Sequence, residues 1–106
     1  MKKLKQQALR ELNSMDIYAQ IATKIIEQQE TIIGPVAVEQ AKAVSGLKVN
    51  WDKHEVTVSG NEQTVIDKLV DQYKELFGKI SVEVCKEAAS KLISQLPADQ
   101  QPSSLK

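Results

Sequence analysis

The chain has 106 residues, 42% of them apolar and 26% charged, which is the profile of one ordinary globular domain. Fourteen basic residues offset fourteen acidic ones, so the counterion-releasing basic excess of a nucleic-acid binder is missing. A single cysteine, Cys85, excludes an internal disulfide and fits a reducing compartment. No apolar run approaches the ~20 residues of a membrane span, and the N-terminus lacks the hydrophobic stretch of a signal peptide. The sequence therefore predicts a cytoplasmic protein with neither nucleic acid nor membrane as partner. The locally basic start, Met1 to Lys5, reads as a solvated helix end.

In chain order, residues 1–33 read as helix. Ala8, Leu12, Met15, Ala19, Ala22, Ile26, Gln29 and Ile33 alternate in steps of four and three, a heptad seam with Gln29 its one polar member. Leu4, Tyr18, Ile25 and Ile32 form a neighbouring stripe, and Ile17 and Ile21 widen the apolar face after Met15. Asn13-Ser14 interrupts helix propensity and Ser14 can cap a new helix, so one long helix and two are both open. Gly34-Pro35 then punctuates, and a second helix is expected from Val36 to about Ser45, ended by Gly46.

The period changes to two over residues 47–59. A turn about Asp52-Lys53 pairs Leu47 with Val58 and Val49 with Val56 and puts every apolar residue on one face. Asp52-Lys53 is not a favoured tight-turn pair, and a looser loop over residues 51–54 keeps the same face. Ser59 with Glu62 has the capping-box pattern ahead of a helix to about Phe77. Its inward stripes are Ile66, Val70, Tyr73 and Phe77, and Val65, Leu69 and Leu76. After Gly78 a last helix runs from Ile80 to about Leu96, where Pro97 stops it. Residues 97–106 are polar with two prolines and are expected to be disordered.

Sliding the chain against itself by 44 residues aligns KIIEQQETIIGPVAVEQAKAV (24–44) with KLVDQYKELFGKISVEVCKEA (68–88) without a gap. Six of the 21 positions are identical, Gly34 and Gly78 among them, so the helix break falls at the same point in both stretches. The expected fold is thus α+β and mostly α: a long N-terminal helix and two helix–glycine–helix units (17–45 and 61–96) linked by a β-hairpin (47–59), in one domain over 1–96. Two like units suggest a pseudo-two-fold arrangement. The stretch IIGPVAVEQAK also resembles an IGP-x-A helical element of small domains near the C-termini of bacterial signalling proteins such as serine/threonine kinases and response regulators. The second copy departs from it at Lys79. The resemblance implies a bacterial signalling or scaffolding setting and carries no catalytic residue.

Chemistry-bearing residues are few. His54, the one histidine, lies at the hairpin tip without the ligand company a metal site needs. Cys85 aligns with Ala41, which marks its position as one for a small buried group. Glu39 and Glu83 occupy matched sites early in their helices, where the macrodipole favours carboxylates, with Lys42 and Lys86 three residues on as pairing partners. No phosphate loop, dinucleotide-binding pattern or nucleophile elbow occurs. The expectation is a non-enzymatic protein–protein interaction or scaffolding module without cofactor or metal. Its candidate contacts are Ala8, Leu12, Met15 and Ala19 on the seam and Val49, Trp51 and Val56 on the hairpin face. Self-association into a homodimer through the N-terminal helix and packing of that seam within one chain are both open. A small-molecule or lipid sensor with an apolar pocket between the units is the alternative.

Overall fold

The structure is a computed structural model that describes residues 17–106. The seam residues Ala8, Leu12 and Met15, and the choice between one helix and two around Asn13-Ser14, lie outside the described residues. Helix α1 spans Ile17–Ile33, α2 Val36–Lys42, β1 Leu47–Asn50, β2 Glu55–Val58, α3 Glu62–Phe77 and α4 Lys79–Ile93, so the fold is mostly helical with one antiparallel hairpin.

The breaks fall where the glycines stand. Gly34 and Gly78 have φ of +79° and +83°, and Gly78 adds ψ −171°, a backbone region open only to glycine. Helix α2 stops at Lys42, shorter than expected. The α3 cap is Asn61, whose side chain accepts a hydrogen bond from the Thr64 N–H, and not Ser59. Ser59 instead bonds Gly46: both its N–H and its hydroxyl donate to the Gly46 carbonyl, which closes the base of the hairpin. The hairpin register pairs Leu47 with Val58 and Val49 with Val56, as the alternation requires, and residues Trp51–Lys53 form a short 3-10 turn in the looser connection.

One hydrophobic cluster holds these elements together. Ile21, Ala22, Ile25 and Ile26 of α1 are fully buried against Ile66, Leu69 and Tyr73 of α3 and Cys85 and Ala89 of α4. Helix α1 packs most extensively on α4 and runs antiparallel to it: Gln29 meets Ser81 and Cys85 near the start of α4, while Tyr18 bonds Gln100 beyond its end. The hairpin lays β2 on α1 and β1 on α2.

Two expectations are corrected. Residues 97–106 are folded, with short 3-10 turns at Ala98–Gln100 and Ser103–Leu105. Pro102 and Leu105 are buried, the Asp67 carboxylate accepts from the Ser104 N–H and the Ser103 hydroxyl, and Gln101 donates to the Ile93 and Leu96 carbonyls at the end of α4. Pro102 and Leu105 thus act as anchors, which a polar average over ten residues conceals. Ile32 and Leu76, assigned to inward stripes, are instead 56% and 51% exposed. They sit in the last turn of α1 and α3, where Ile33 and Phe77 are the residues turned to the core.

Gly78 gives a direct test of the break. Nothing lies within 4 Å of where its Cβ would sit, so Gly78→Ala costs only backbone strain. Urea denaturation is expected to show a loss of roughly 1–3 kcal/mol.

Candidate functional site

Positions 44 residues apart occupy matching environments. Ile25 and Leu69, Ile26 and Val70, and Ala41 and Cys85 are buried pairs. The sharpest correspondence is polar. Gln29 Nε2 of α1 donates to the Ser81 carbonyl of α4 at 3.1 Å, and Tyr73 Oη of α3 donates to the Ala37 carbonyl of α2 at 2.6 Å. Gln29 and Tyr73 are 44 residues apart, and so are Ala37 and Ser81. Each helix–glycine–helix unit therefore donates one buried hydrogen bond to the other, from the same place to the same place. Because Gln29 and Ala37 flank Gly34, and Tyr73 and Ser81 flank Gly78, both breaks lie at one end of the molecule.

That end carries the exposed apolar side chains. Among the described residues the large exposed hydrophobics are Ile32 (56%), Val36 (38%), Leu76 (51%) and Ile80 (74%), and they form two pairs at 44-residue spacing around the two glycines. Ile33 and Phe77, the neighbours of Ile32 and Leu76 in sequence, are half-buried against the core. Isolated exposed apolar residues are ordinary; these four recur at matched positions around the two glycines. Ile80 lies in a notch of about 400 Å³ with Lys74, Lys79, Val82 and Glu83.

The residues singled out in the sequence are placed elsewhere. Ala19 and Val56, expected as docking positions, are 9% exposed and belong to the core, where α1 meets β2. They also edge an open groove of about 510 Å³ that His54, Glu27 and Leu92 share. Val49 and Trp51 are half-buried against the core. Trp51 Nε1–H reaches both carboxylate oxygens of Glu30 at 3.2 Å. His54, at φ +57°, stacks on Trp51 with ring centroids 4.1 Å apart and meets Glu27 Oε2 through Nε2 at 2.7 Å. Glu27 and Glu30, one turn apart on α1, thus hold the hairpin tip on the helix. The seam residues Ala22, Ile26 and Gln29 are likewise spent inside the fold.

Cys85 is enclosed. Burial pushes its thiol up from 9.0 to about 11, partly opposed by the hydrogen bond from Gln29 Nε2 at 3.4 Å, so the sulfur stays protonated at neutral pH and is a poor nucleophile. Burial, then the nearby Cys85 and Glu30 charges, raises Tyr73 as well. Glu39 and Glu83 are exposed, and neither pairs with the lysine three residues on; the ion pairs among the described residues are Lys24–Glu27 and His54–Glu27. Between the units the fully buried Ile25, Ile26, Leu69, Val70 and Tyr73 belong to one packed cluster, and the grooves described here open at the surface. No group of three or more metal-ligating side chains occurs among the described residues, and no helix there is long and apolar enough to cross a membrane. No family model, curated protein or solved structure matches the chain.

The Cys85 environment fixes a pH response. Between pH 9 and 11 the unfolded chain gives up the thiol proton while the folded chain keeps it, so unfolding releases a proton and stability falls as pH rises through that window. Urea midpoints should drop from pH 8 to pH 11, and the drop should shrink in Cys85→Ala. At pH 8 a thiol-labelling reagent should modify Cys85 only as fast as the chain opens.

Proposed function

We propose that the chain is a non-catalytic protein–protein interaction or scaffolding module whose working surface is the end at which both glycine breaks lie. The observation that carries this reading is the placement of Ile32, Val36, Leu76 and Ile80: four large apolar side chains held in water at matched positions around Gly34 and Gly78. Exposure of this kind lowers solubility and contributes nothing to the fold, so a partner that covers the patch is what gives it a use. The chemistry-bearing side chains point the same way. The Cys85 thiol is enclosed, and His54 and Trp51 serve to pin the hairpin. The likeness of IIGPVAVEQAK to a helical element of bacterial signalling proteins supports a signalling context for the module.

The N-terminal seam has a narrower role in this reading. Its later members from Ala19 onward are used inside the domain, so self-association through that helix rests on Ala8, Leu12 and Met15.

The test is retention of a protein from an extract of the source cells on immobilised wild-type chain, compared with Ile80→Asp and with Lys91→Asp as a control remote from the breaks. A specific protein retained by wild type and Lys91→Asp, and reduced at least tenfold by Ile80→Asp, is the expected result. Equal retention by all three baits contradicts the reading.

A further inference from the structure

The hairpin leaves the outer edge of β2 open. Its register pairs Leu47 with Val58, Lys48 with Thr57, Val49 with Val56 and Asn50 with Glu55, and the Ser59 N–H donates to the Gly46 carbonyl just outside the strands. Hydrogen-bonded and non-bonded pairs alternate along an antiparallel ladder. Thr57 and Glu55 therefore turn their backbone groups to β1, and Val56 and Val58 turn theirs away from it. The sheet has two strands, and among the described residues no backbone partner reaches the N–H or C=O of Val56 or Val58 on that side. The Val56 side chain is committed to the core at 9% exposure; its backbone is what stays unmatched. No proline or bulge closes the edge, and an open row of N–H and C=O groups is a template for one more strand.

The groove of about 510 Å³ runs along this edge. Glu55, Val56 and Thr57 line one side and Leu92 of α4 the other, while α1, which packs on both β2 and α4, supplies Ala19 and Thr23 between them. These two small residues are one turn apart and leave room above the helix. An extended chain laid there continues the sheet at the usual strand spacing of about 4.8 Å and turns alternate side chains onto Ala19, Thr23 and Leu92.

The unmatched groups select the occupant. A helix bonds its own backbone along its length and leaves Val56 and Val58 unsatisfied, whereas an extended chain bonds both. A second copy is badly placed to supply that chain. Its β2 is recessed in the same groove beside its own α4, and on β1 the Leu47 N–H is taken by the Val44 carbonyl. We propose that the β2 edge binds an extended peptide segment of a partner protein, which adds a third strand through Val56 and Val58 and seats an apolar side chain between Ala19 and Leu92. This surface is distinct from the glycine-break end and is tested separately from it.

Amide hydrogen exchange of the full chain reads the edge first. The Val56 and Val58 N–H groups are expected to exchange at least tenfold faster than that of Thr57, which faces β1. A library of random peptides of about 10 residues is then selected on the wild-type chain and counter-selected on Thr23→Arg, which fills the groove. A recovered peptide should slow Val56 and Val58 exchange at least tenfold. It should bind Thr23→Arg at least tenfold more weakly and Ile80→Asp as well as wild type. N-methylation of the peptide residues whose N–H faces β2 should abolish binding, and N-methylation of the intervening residues should leave it.

Val56 and Val58 amides as slow as Thr57 in the free chain overturn the proposal. If they are slow at every concentration, a segment of the same chain holds the edge; if only at high concentration, a second copy does. Failure to recover any peptide that distinguishes wild type from Thr23→Arg overturns it too, as does a peptide indifferent to N-methylation at every residue. These results leave the Ile80→Asp comparison untouched, and failure of that comparison leaves the β2 edge standing.

Discussion

Two buried hydrogen bonds organise this domain. Gln29 and Tyr73 each send a polar group through the core to a backbone carbonyl of the opposite unit, at Ser81 and Ala37. A polar group buried without a partner costs free energy on the order of 1–3 kcal/mol, so each bond fixes the depth and the rotation of the helix that makes it. Because the bonds are reciprocal, they fix the two units against each other and bring Gly34 and Gly78 to one end. The exposed apolar set around those glycines is a consequence of that placement.

The rest of the structure serves as bracing. The hairpin closes over α1 and is held at its tip by Glu27 and Glu30 through His54 and Trp51, four side chains that a search for chemistry would otherwise single out. The C-terminal turns close the opposite end, where Asp67 and Gln101 satisfy backbone groups that would be left open at the start and finish of helices. The end with the tail is tied down by hydrogen bonds and buried apolar anchors, and the end with the breaks leaves isoleucine, leucine and valine in water. That asymmetry is what the proposed interaction surface rests on.

Much of this was legible in the sequence, for identifiable reasons. Period-two alternation over residues 47–58 allows one register with all apolar residues on a single face, and the hairpin adopts it. The registered glycines mark breaks that no other residue can adopt at Gly78. Helical periodicity, in contrast, tells which residues share a face but not where the neighbouring helix ends. Ile32 and Leu76 continue their stripes yet stand in water, while Ile33 and Phe77 beside them pack on the core. A heptad seam gives no indication of whether its partner belongs to the same chain; from Ala19 onward it does, which removes Ala19 from the candidate contacts, and Val56 is removed by packing on α1. The tail was missed because its order comes from two sparse apolar anchors and from Asp67, 36 or more residues away. The exposed apolar set was invisible for the same reason: exposure of Val36 and Ile80 depends on how two units meet.

The central claim is that the reciprocal bonds hold the two units as one cooperative body. The direct measurement is urea unfolding of Tyr73→Phe followed by both tryptophan fluorescence, which reports Trp51 beside unit 1, and circular dichroism, which reports all the helices. Removing one hydroxyl takes from the Ala37 carbonyl the donor of the opposite unit while its own helix still bonds it, so the account predicts a loss of about 0.5–1.5 kcal/mol with the two signals still coincident. A change below about 0.5 kcal/mol, within the range of an ordinary surface substitution, would contradict it. So would two separated transitions in the wild-type chain.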